Sequence, residues 1–590
     1  MAWAAAARGE EKWDAEAAGP SLPEVDWDTE RRDSFRRCFL EPSSSDDDSK
    51  AKREALHIRI DDSAGHEVPA PVDSFESLGV LPDYALKALQ ENGITTPMPI
   101  QSQALPLVLL GHDVIGLAQT GSGKTLAFLL PAVTHIEAQK PLRKLDTTPI
   151  ALVLAPTREL AVQISDEAKK VLKYSKEGRH RWGVWAACVY GGGNKREQLR
   201  NIISAHIVVA TPGRLIDFLA QRDLSLQRVT YLVLDEADRM LDMGFQGDVA
   251  SISGLVRPER QVLFFSATWS HEVQSLALGL CHQGVKPVRI SVGQMQHDTD
   301  DDGLGDQSTR QAREGIVQEV IVVDRPRGEY EKQIEDKRAI LDDYLQKVLD
   351  ESEDNKILVF VSQKTFADEL SQKLWESGFK ADAMHGGKSQ ESRLWVLDEF
   401  RKGNLRLLVA TDVLGRGIDI PKVSHVVVFD MGSVPDYVHR IGRTARGVDG
   451  KGHALVFFEY YYKEPGIAAE LIEVLEASKQ AVPLQLRKIA HEVTTGQREI
   501  FTPPKKWNGY YDKQWNGSWN GSDDRKWNDK WDDKKGRKEH APHSHKASSS
   551  DGYPEQKSSD SGSWRRQPAP PPPAPKPVVE TAEVPDSWED

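Results

Sequence analysis

The feature that most constrains this sequence is a short glycine-containing loop between an apolar run and a helical pattern. The run 113–117 leads into the segment 117–125, LAQTGSGKT, and Leu126, Leu129 and Leu130 then recur at helical spacing. Strand, loop and helix in this order can cradle a phosphate, because the glycines let successive backbone N–H groups converge at a helix N-terminus. The pattern therefore predicts a nucleotide-binding loop, and the alternative is a tight turn that merely opens a helix.

Each residue type in this loop has an expected use. Lys124 would reach the outer phosphates, and the Thr125 hydroxyl would hold Mg²⁺. The general phosphate-loop pattern has glycine where this chain has Ala118. The predicted triphosphate-binding residues are Ala118, Gln119, Thr120, Gly121, Ser122, Gly123, Lys124 and Thr125.

Apolar runs alternate with helical patterns over two long stretches, 74–293 and 315–480. Runs such as 150–154, 231–234 and 357–361 are short and rich in Val, Ile and Leu. Strands buried on both faces with helices between them are typical of a parallel sheet. We therefore predict an α/β fold with two tandem domains, of which only the first carries a phosphate loop.

Three segments lack this alternation. Residues 1–73 have the composition of a disordered acidic arm, and residues 294–314 that of an acidic flexible connector. Residues 481–590 form a low-complexity tail in which Trp recurs among Asn, Gly and Lys before a proline run. We expect both arms to be disordered and to offer sites for protein partners.

The tail leaves several alternatives open. Its mixture of Trp and Lys suits stacking on single-stranded bases, but it equally suits a weakly self-associating tail. The prolines at 570–573 could form a polyproline ligand, and a plain spacer is the alternative. The basic run 534–538 is a nuclear-import candidate or simply solvated charge.

Overall charge excludes one class of nucleic-acid binder. The net charge of -14 and the pI of about 5.7 argue against binding through bulk positive charge, although a local basic path remains compatible with them. The three cysteines are far apart and have no zinc-site spacing, which is typical of free thiols in a reducing compartment. No apolar run approaches the ~20 residues that span a bilayer. We expect a soluble intracellular protein with a monomeric core, in the nucleus rather than the cytoplasm.

An acidic cluster follows the predicted strand 231–234, where Asp235, Glu236 and Asp238 occur within four residues. Ligands gather at the carboxyl ends of parallel strands. Since phosphate loops work with a metal, Asp235 is the predicted Mg²⁺ ligand and Glu236 the group that orients or deprotonates the attacking water. The alternative is an acidic strand exit that caps a helix.

The order of these motifs resembles that of a known family. Asp-Glu-Ala-Asp at 235–238, preceded by the phosphate loop and followed by Ser-Ala-Thr at 266–268, is similar to the DEAD-box RNA helicases of helicase superfamily 2. Ala118 fits that family's own version of the loop. The resemblance covers 75–446 and implies two RecA-like domains that hydrolyse ATP with Mg²⁺ and bind RNA with little sequence specificity.

The resemblance assigns recognition of the nucleotide base to two residues. Gln101 would hydrogen-bond the adenine edge and Phe75 would pack against the base, while Asp419 would contact the ribose. An amide pairs a donor and an acceptor with adenine, whereas guanine presents the opposite pattern, so ATP is the expected nucleotide. Met98 stands where the family usually has Thr or Ser.

The resemblance also implies RNA-backbone contacts in both domains. N–H groups at helix starts, hydroxyls and guanidinium groups hold phosphate oxygens without reading sequence. The implied RNA-binding residues are Pro156, Thr157, Arg158, Gly191, Gly192, Thr211, Pro212, Gly213 and Arg214 in the first domain, and Gln390, Arg393 and Thr411 in the second. As isolated short motifs the same residues would be ordinary turns and caps.

Two arginines complete the implied catalytic set. Arg443 and Arg446 would share one face if their segment is helical, and would point at the γ-phosphate from the second domain. Such arginines are worth ~10³ to 10⁵ in rate; the alternative is an arginine pair on an exposed helix. The residues implied to couple hydrolysis to strand separation are Asp238, Ser266, Thr268 and His439.

A mechanism follows from this division between domains. Because the phosphate loop and the arginines lie on different domains, hydrolysis requires closure, and the flexible connector predicts an open resting state. RNA bridging both domains would favour closure, so ATP and RNA should each raise the affinity for the other. The first hypothesis is an ATP-dependent RNA helicase. The second is an ATP-gated RNA clamp with little unwinding, and a double-stranded DNA translocase is disfavoured.

Overall fold

The fold was obtained as a computed structural model. It describes residues 22–23, 25–27, 34–41, 47–119, 121–143, 145–281, 286–293, 315–326, 328–412, 420, 422–445, 451–498 and 500. The predicted connector at 294–314 and the Trp-rich and Pro-rich parts of the tail lie outside these residues.

The first domain alternates strands and helices. In chain order its elements are α1 (Asp47–Ala55), β1 (Ile58–Asp62), α2 (Asp83–Glu91), α3 (Pro99–Leu109), β2 (Val114–Leu117), α4 (Lys124–Glu137), β3 (Ala151–Leu154), α5 (Arg158–Val171), β4 (Ala186–Val189), α6 (Lys195–Ile202), β5 (Ile207–Ala210), α7 (Pro212–Ala220), β6 (Tyr231–Leu234), α8 (Ala237–Asp242), α9 (Gln246–Gly254), β7 (Gln261–Ser266), α10 (His271–Leu280) and β8 (Val288–Val292).

Its eight strands form one sheet in the order β1-β8-β2-β7-β6-β3-β5-β4. All pairings are parallel except that of β1 with β8. Strands β2, β3, β5, β6 and β7 are buried along their whole length, because helices cover both faces of the sheet. This confirms the continuous apolar runs as strands of a parallel sheet.

The second domain repeats the plan. Its elements are β9 (Ile316–Val322), α11 (Tyr330–Glu351), β10 (Ile357–Phe360), α12 (Lys364–Glu376), β11 (Ala381–Met384), α13 (Gln390–Lys402), β12 (Leu407–Ala410), β13 (His425–Val428), α14 (Val434–Ile441), β14 (Gly452–Phe458), α15 (Ile467–Ala477) and α16 (Leu484–Thr494). Six strands form an all-parallel sheet in the order β11-β12-β10-β13-β14-β9.

Two predicted domain boundaries need correction. The first domain begins before residue 74, because α1 and β1 lie within the segment assigned to the acidic arm and β1 pairs with β8. The Arg37 guanidinium also forms an ion pair with the buried Asp113. The second domain extends past residue 480, since Leu486 and Ile489 of α16 are buried in its core. Pro483 at the N-cap starts that helix after the predicted end of the domain.

None of the helices among the described residues is both long and apolar enough to cross a membrane.

The middle of β2 is packed too tightly for a side chain at Gly116. The register places Gly116 opposite Phe265 of β7, and a Cβ at this position would lie 2.6 Å from the Phe265 ring. We expect Gly116→Ala to lower the stability of the first domain by about 1–3 kcal/mol through overpacking, measured as a lower Tm.

The matched control is Gly247→Ala in α9, where an added Cβ meets nothing within 4 Å. It should leave Tm unchanged or raise it slightly, because alanine favours a helix by ~1 kcal/mol over glycine. Equal Tm values for Gly116→Ala and the wild type would contradict the packing described for β2.

Candidate functional site

The carboxyl ends of the first sheet's strands form one continuous edge that carries the predicted residues. The phosphate loop follows β2, Ser266 ends β7, and Asp235 follows β6, and these three strands are neighbours in the sheet. Strands β3, β5 and β4 continue the same edge and lead into the predicted RNA-binding residues. The fold therefore divides the edge into a phosphate half and an RNA half.

The phosphate loop has the geometry of an anion cradle. Gly121 and Gly123 adopt φ values of 80° and 88°, which favour glycine. Lys124, 5% exposed, begins α4 and donates its Nζ hydrogen bond to the Ala118 carbonyl at 3.0 Å. Within the described residues, the buried Ser122 hydroxyl has no hydrogen-bond partner. An unpaired hydroxyl beside a lysine at a helix N-terminus suits a phosphate oxygen. Thr120 lies outside the described residues.

The predicted base-recognition residue contacts the phosphate loop directly. Gln101 Nε2 donates to the Gly123 carbonyl at 2.8 Å, and Oε1 accepts from the Met98 N–H at 2.9 Å. A carboxamide has a second N–H and a second lone pair, so Gln101 keeps one donor and one acceptor for a base. Phe75 is 1% exposed and belongs to the core of the first domain. Its contact with adenine stays a prediction.

The acidic cluster is buried and strained. Asp235, 3% exposed, accepts a hydrogen bond from the Glu236 N–H at 3.1 Å. Glu236 adopts a left-handed conformation with φ 53° and ψ 54°, which is rare for a residue with a side chain. Burial raises the pKa of Glu236 to about 7, against the lowering effects of Lys124 and Arg443. A carboxylate tuned to this range is suited to general-base work.

Asp235 and Thr125 could together hold one Mg²⁺ ion whose remaining ligands are water and phosphate oxygens. Burial raises the pKa of Asp235, and the nearby Lys124 charge opposes this, so a cation would favour the ionised form. The described residues contain no cluster of three or more His, Cys, Asp and Glu that could hold a metal. Mg²⁺ usually takes one or two protein oxygens plus water and phosphate oxygens, which Asp235 and Thr125 could supply in part.

Three of the predicted coupling residues form a chain beside this site. Thr268 Oγ1 donates to Asp238 Oδ2 at 3.2 Å, and the Thr268 N–H donates to Ser266 Oγ at 3.4 Å. Ser266 is fully buried, and its carbonyl accepts from the Ala118 N–H at 3.1 Å. The acidic cluster, the Ser-Ala-Thr segment and the phosphate loop are therefore connected by hydrogen bonds.

The second domain contributes Arg443, whose positive charge acts to lower the pKa of Glu236 against the larger effect of burial. Arg443 is fully buried and donates Nε to the His439 carbonyl at 3.2 Å. A shared face for the two arginines was expected on the condition that their segment is helical; α14 ends at Ile441 and Arg443 lies in the following turn, so Arg443 does not meet that condition. Arg446 and Asp419 lie outside the described residues.

A further link between the domains was not predicted from the sequence. The Arg239 guanidinium in α8 donates to the Asp412 carbonyl of the second domain at 3.4 Å. The carboxylate of Asp412 in turn accepts from Nε and Nη2 of Arg440 at 2.8 and 3.0 Å. The only sequence signal was position: Arg239 follows the acidic cluster directly, and Arg440 lies within the arginine-rich segment.

The predicted RNA residues of the first domain converge on one another. A Cβ at Gly192 would lie 2.5 Å from Arg158 Nη1, and one at Gly191 would lie 3.3 Å from Nη2, so only glycine admits this guanidinium. Arg214 donates to the Gly193 carbonyl at 3.4 Å. Thr157 caps α5 by accepting from the Leu160 N–H at 3.3 Å.

Three further predicted residues lie at a neighbouring helix start. Thr211 is the N-cap of α7, which begins with Pro212 and Gly213, and the Thr211 side chain makes no capping hydrogen bond. Pro156 is buried and directly precedes Thr157, the N-cap of α5. Their positions place the N-termini of α5 and α7 next to each other on the RNA half of the edge, because β3 and β5 are adjacent.

A buried carboxylate joins these residues to the second domain. Glu159, 3% exposed, accepts from Arg393 Nη2 at 3.1 Å and from Gln390 Nε2 at 3.3 Å, both in α13. Burial, and then the Arg393 charge, lower the pKa of Arg158. Arg158 directly precedes Glu159, which binds Arg393 of the second domain, and a phosphate that bridged the two guanidinium groups would relieve the repulsion between their charges. Thr411 lies nearby in the fold, after β12 and next to β11.

Comparison with known proteins adds independent information. The DEAD/DEAH box helicase family model matches residues 98–276, and the helicase conserved C-terminal domain model matches residues 336–448. The ATP-dependent RNA helicase DBP2 of Candida albicans is 41% identical over 480 residues, which cover 80% of this chain and 78% of the relative. The protein of the same name from Schizosaccharomyces pombe is 40% identical over 497 residues and 83% of each chain.

Solved structures with this fold contain RNA and nucleotide analogues. S. cerevisiae Dbp5 bound to RNA and ADP BeF3 is 26% identical with a TM-score of 0.56, covering 72% of this chain and 100% of that one. Mss116p bound to ssRNA and AMP-PNP is 27% identical with a TM-score of 0.56, covering 74% and 84%. The match across both domains, together with the phosphate loop, the Asp-Glu-Ala-Asp cluster and the opposed Arg443, establishes that this chain belongs to the DEAD-box family of RNA helicases.

Proposed function

We propose that this chain is an RNA-stimulated ATPase that closes its two domains on RNA and thereby locally separates short RNA duplexes or remodels RNA–protein complexes. The observation that carries the proposal is that the phosphate loop after β2, Ser266 at the end of β7 and the acidic cluster after β6 meet at one edge of the first sheet, where the second domain contacts the first through Arg239 and Asp412. A phosphate loop, an acidic cluster and an arginine-bearing second domain are components that ATP-hydrolysing enzymes combine.

On the nucleotide side, each residue has a distinct task. The phosphate loop and Lys124 hold the outer phosphates, Gln101 recognises adenine, and Glu236 orients the attacking water and accepts its proton. Arg443 stabilises the charge that develops on the γ-phosphate, and Arg446 is proposed to assist it. Mg²⁺, held by Asp235 and Thr125, would supply further neutralisation of phosphate charge.

On the RNA side, both domains contribute to one path. Arg158, Arg214 and the N-termini of α5 and α7 would hold phosphates on the first domain, and Arg393 and Thr411 would do so on the second. Binding through the backbone gives little sequence specificity. Because RNA and ATP both favour the closed arrangement, each raises the affinity for the other. Reopening after hydrolysis, through the Asp238, Thr268 and Ser266 chain and His439, would release the RNA.

The flanking segments extend this proposal. We propose that the two tails bind protein partners, that the core works as a monomer, and that the basic run 534–538 directs the protein to the nucleus. The composition of these segments supports the assignment, since Trp, Lys and Pro in low-complexity sequence suit short-lived contacts with other molecules.

A strand-displacement assay tests the helicase activity. The full chain with ATP should displace one strand of a short RNA duplex, whereas the same chain without ATP, or with a matched DNA duplex, should not, because the RNA backbone carries 2′-hydroxyls. Strong RNA-stimulated ATP hydrolysis without displacement would reject unwinding in favour of an ATP-gated clamp.

Replacing the proposed base tests the chemistry. Glu236→Gln should reduce RNA-stimulated ATP hydrolysis by ~100-fold or more, because the amide cannot accept the proton of the attacking water. Binding of ATP and RNA, measured separately by titration, should stay close to that of the wild type. Glu376→Gln, at an exposed carboxylate of α12, is the matched control and should hydrolyse ATP normally. Normal turnover in Glu236→Gln would remove Glu236 from the mechanism.

The contacts of Glu159 with Arg393 and Gln390, called the Glu159 bridge below, should contribute to the coupling between ATP binding and RNA binding. Glu159→Gln weakens the contacts of Glu159 with Arg393 and Gln390, so the tightening of RNA binding by an ATP analogue should fall by about tenfold. RNA affinity would be measured by fluorescence anisotropy with and without the analogue. Glu167 lies on the same helix, and among the described residues it pairs only with Lys170. Glu167→Gln is therefore the matched control and should retain full coupling. Undiminished coupling in Glu159→Gln would show that this bridge does not support closure.

A further inference from the structure

The outer edge of the first sheet carries a large groove that the proposed mechanism does not use. Strand β4 ends the sheet, and a cavity of about 810 Å³ lies along it between α5 and α6. Two tryptophans line the groove and remain accessible: Trp182 is 72% exposed and Trp185 is 56% exposed. Exposed indoles at a groove are a marker of a binding surface, because such large rings are otherwise buried.

The charges around the groove are mainly positive. Lys169, Lys173, Lys176 and Arg200 line it, against Asp166 and Glu197. Lys169 pairs with Asp166, and Lys173 pairs with Glu91, so these lysines are largely neutralised.

Two cations that line the groove, Lys176 and Arg200, and the neighbouring Arg181 remain for a ligand, against the carboxylate of Glu197. In the described part of the chain, Lys176 and Arg200 are exposed and form no ion pair, and the Arg181 guanidinium lies 5.1 Å from the centre of the Trp182 ring. On a chain with a net charge of -14, this local excess of positive charge next to accessible indoles is unusual. Indole rings and cations together suit a single-stranded nucleic acid, which offers base faces and phosphates.

The groove is continuous with the RNA half of the site. Strand β4 runs from Trp185 directly into Tyr190 and the Gly191–Gly192 turn that receives Arg158. Gln198 of α6 lines the groove and holds this turn, donating to the Tyr190 carbonyl at 3.0 Å and accepting from the Tyr190 N–H at 3.1 Å. A strand leaving the Gly191–Gly192 turn would therefore meet the groove next.

We propose that this groove is a second RNA-binding surface, on which bases of the single strand outside the two-domain site stack on Trp182 and Trp185 while phosphates bind Lys176, Arg181 and Arg200. The inference rests on the proposed RNA binding by the two-domain site and adds a preference for RNA long enough to reach beyond it. Since stacking and phosphate contacts read no base edge, the preference is for length and not for sequence.

The test compares a short and a long unstructured RNA, of about 10 and about 25 nucleotides, in fluorescence anisotropy with an ATP analogue present. The wild type should bind the long RNA more tightly than the short one. Trp182→Ala should weaken binding of the long RNA by about tenfold and leave that of the short RNA within about twofold, because one stacked base is lost. Trp375→Ala, at a 60% exposed tryptophan of the second domain, is the matched control and should change neither affinity.

A second variant tests the charges without removing an aromatic ring. Lys176→Ala combined with Arg200→Ala should reduce the slope of log affinity against log salt by about 1.4 for the long RNA only, since each phosphate contact on a single strand contributes ~0.7. Both positions are exposed, so the fold should be unaffected.

The outcomes separate the two proposals. A wild type that binds neither RNA would overturn the proposed function itself. A wild type that binds both RNAs equally well, or groove variants that bind the long RNA as the wild type does, would overturn the groove alone. The second result is also the one expected if the free edge of β4 instead accepts an extended peptide as an added strand.

Discussion

The proposed mechanism depends on one buried carboxylate, Glu236, on which charges from both domains act. Glu236 is held in a left-handed backbone conformation, and burial raises its pKa while Lys124 and Arg443 act against this. Lys124 and Glu236 are far apart in sequence, but they follow β2 and β6, which flank β7, so the first sheet places both at one edge. Arg443 belongs to the second domain. In the proposed mechanism, hydrolysis therefore requires both domains, because the first supplies Lys124 and Glu236 and the second supplies Arg443.

A second shared carboxylate lies on the RNA half of the same sheet edge. Glu159 accepts from Arg393 and Gln390, so the first domain supplies negative charge to the same cations that would hold RNA phosphates. RNA and Glu159 therefore act on one small group of cations, of which Arg158 and Arg393 already repel each other. In the proposed function, an RNA phosphate bound to this group would alter contacts between the two domains, which would provide a physical route for reciprocal coupling between RNA and ATP.

The strands that sequence reasoning identified and those that it missed differ in composition. Runs such as 231–234 are apolar throughout because helices bury both faces, and they were predicted correctly. Strand β1, with the sequence IRIDD, pairs only with β8 and is partly exposed, so its charged residues suggested disorder. Helix α16 follows a proline after the last strand, and only its contacts with the second core show that it belongs to the domain. The boundaries at 73 and 480 were wrong for this reason.

Local sequence was sufficient for the phosphate loop, the acidic cluster and the two-domain α/β plan, because glycine conformation, strand burial and helix starts depend mainly on neighbouring residues. The family resemblance also implied a role for Arg443, but its position in the turn after Ile441 is seen only in the structure. The contacts of Glu159 with α13 and the Asp412 link between Arg239 and Arg440 join residues from separate parts of the chain, whereas the groove along β4 is lined by one stretch, 162–204. Such contacts depend on strand order and domain placement, and no local pattern encodes these distances.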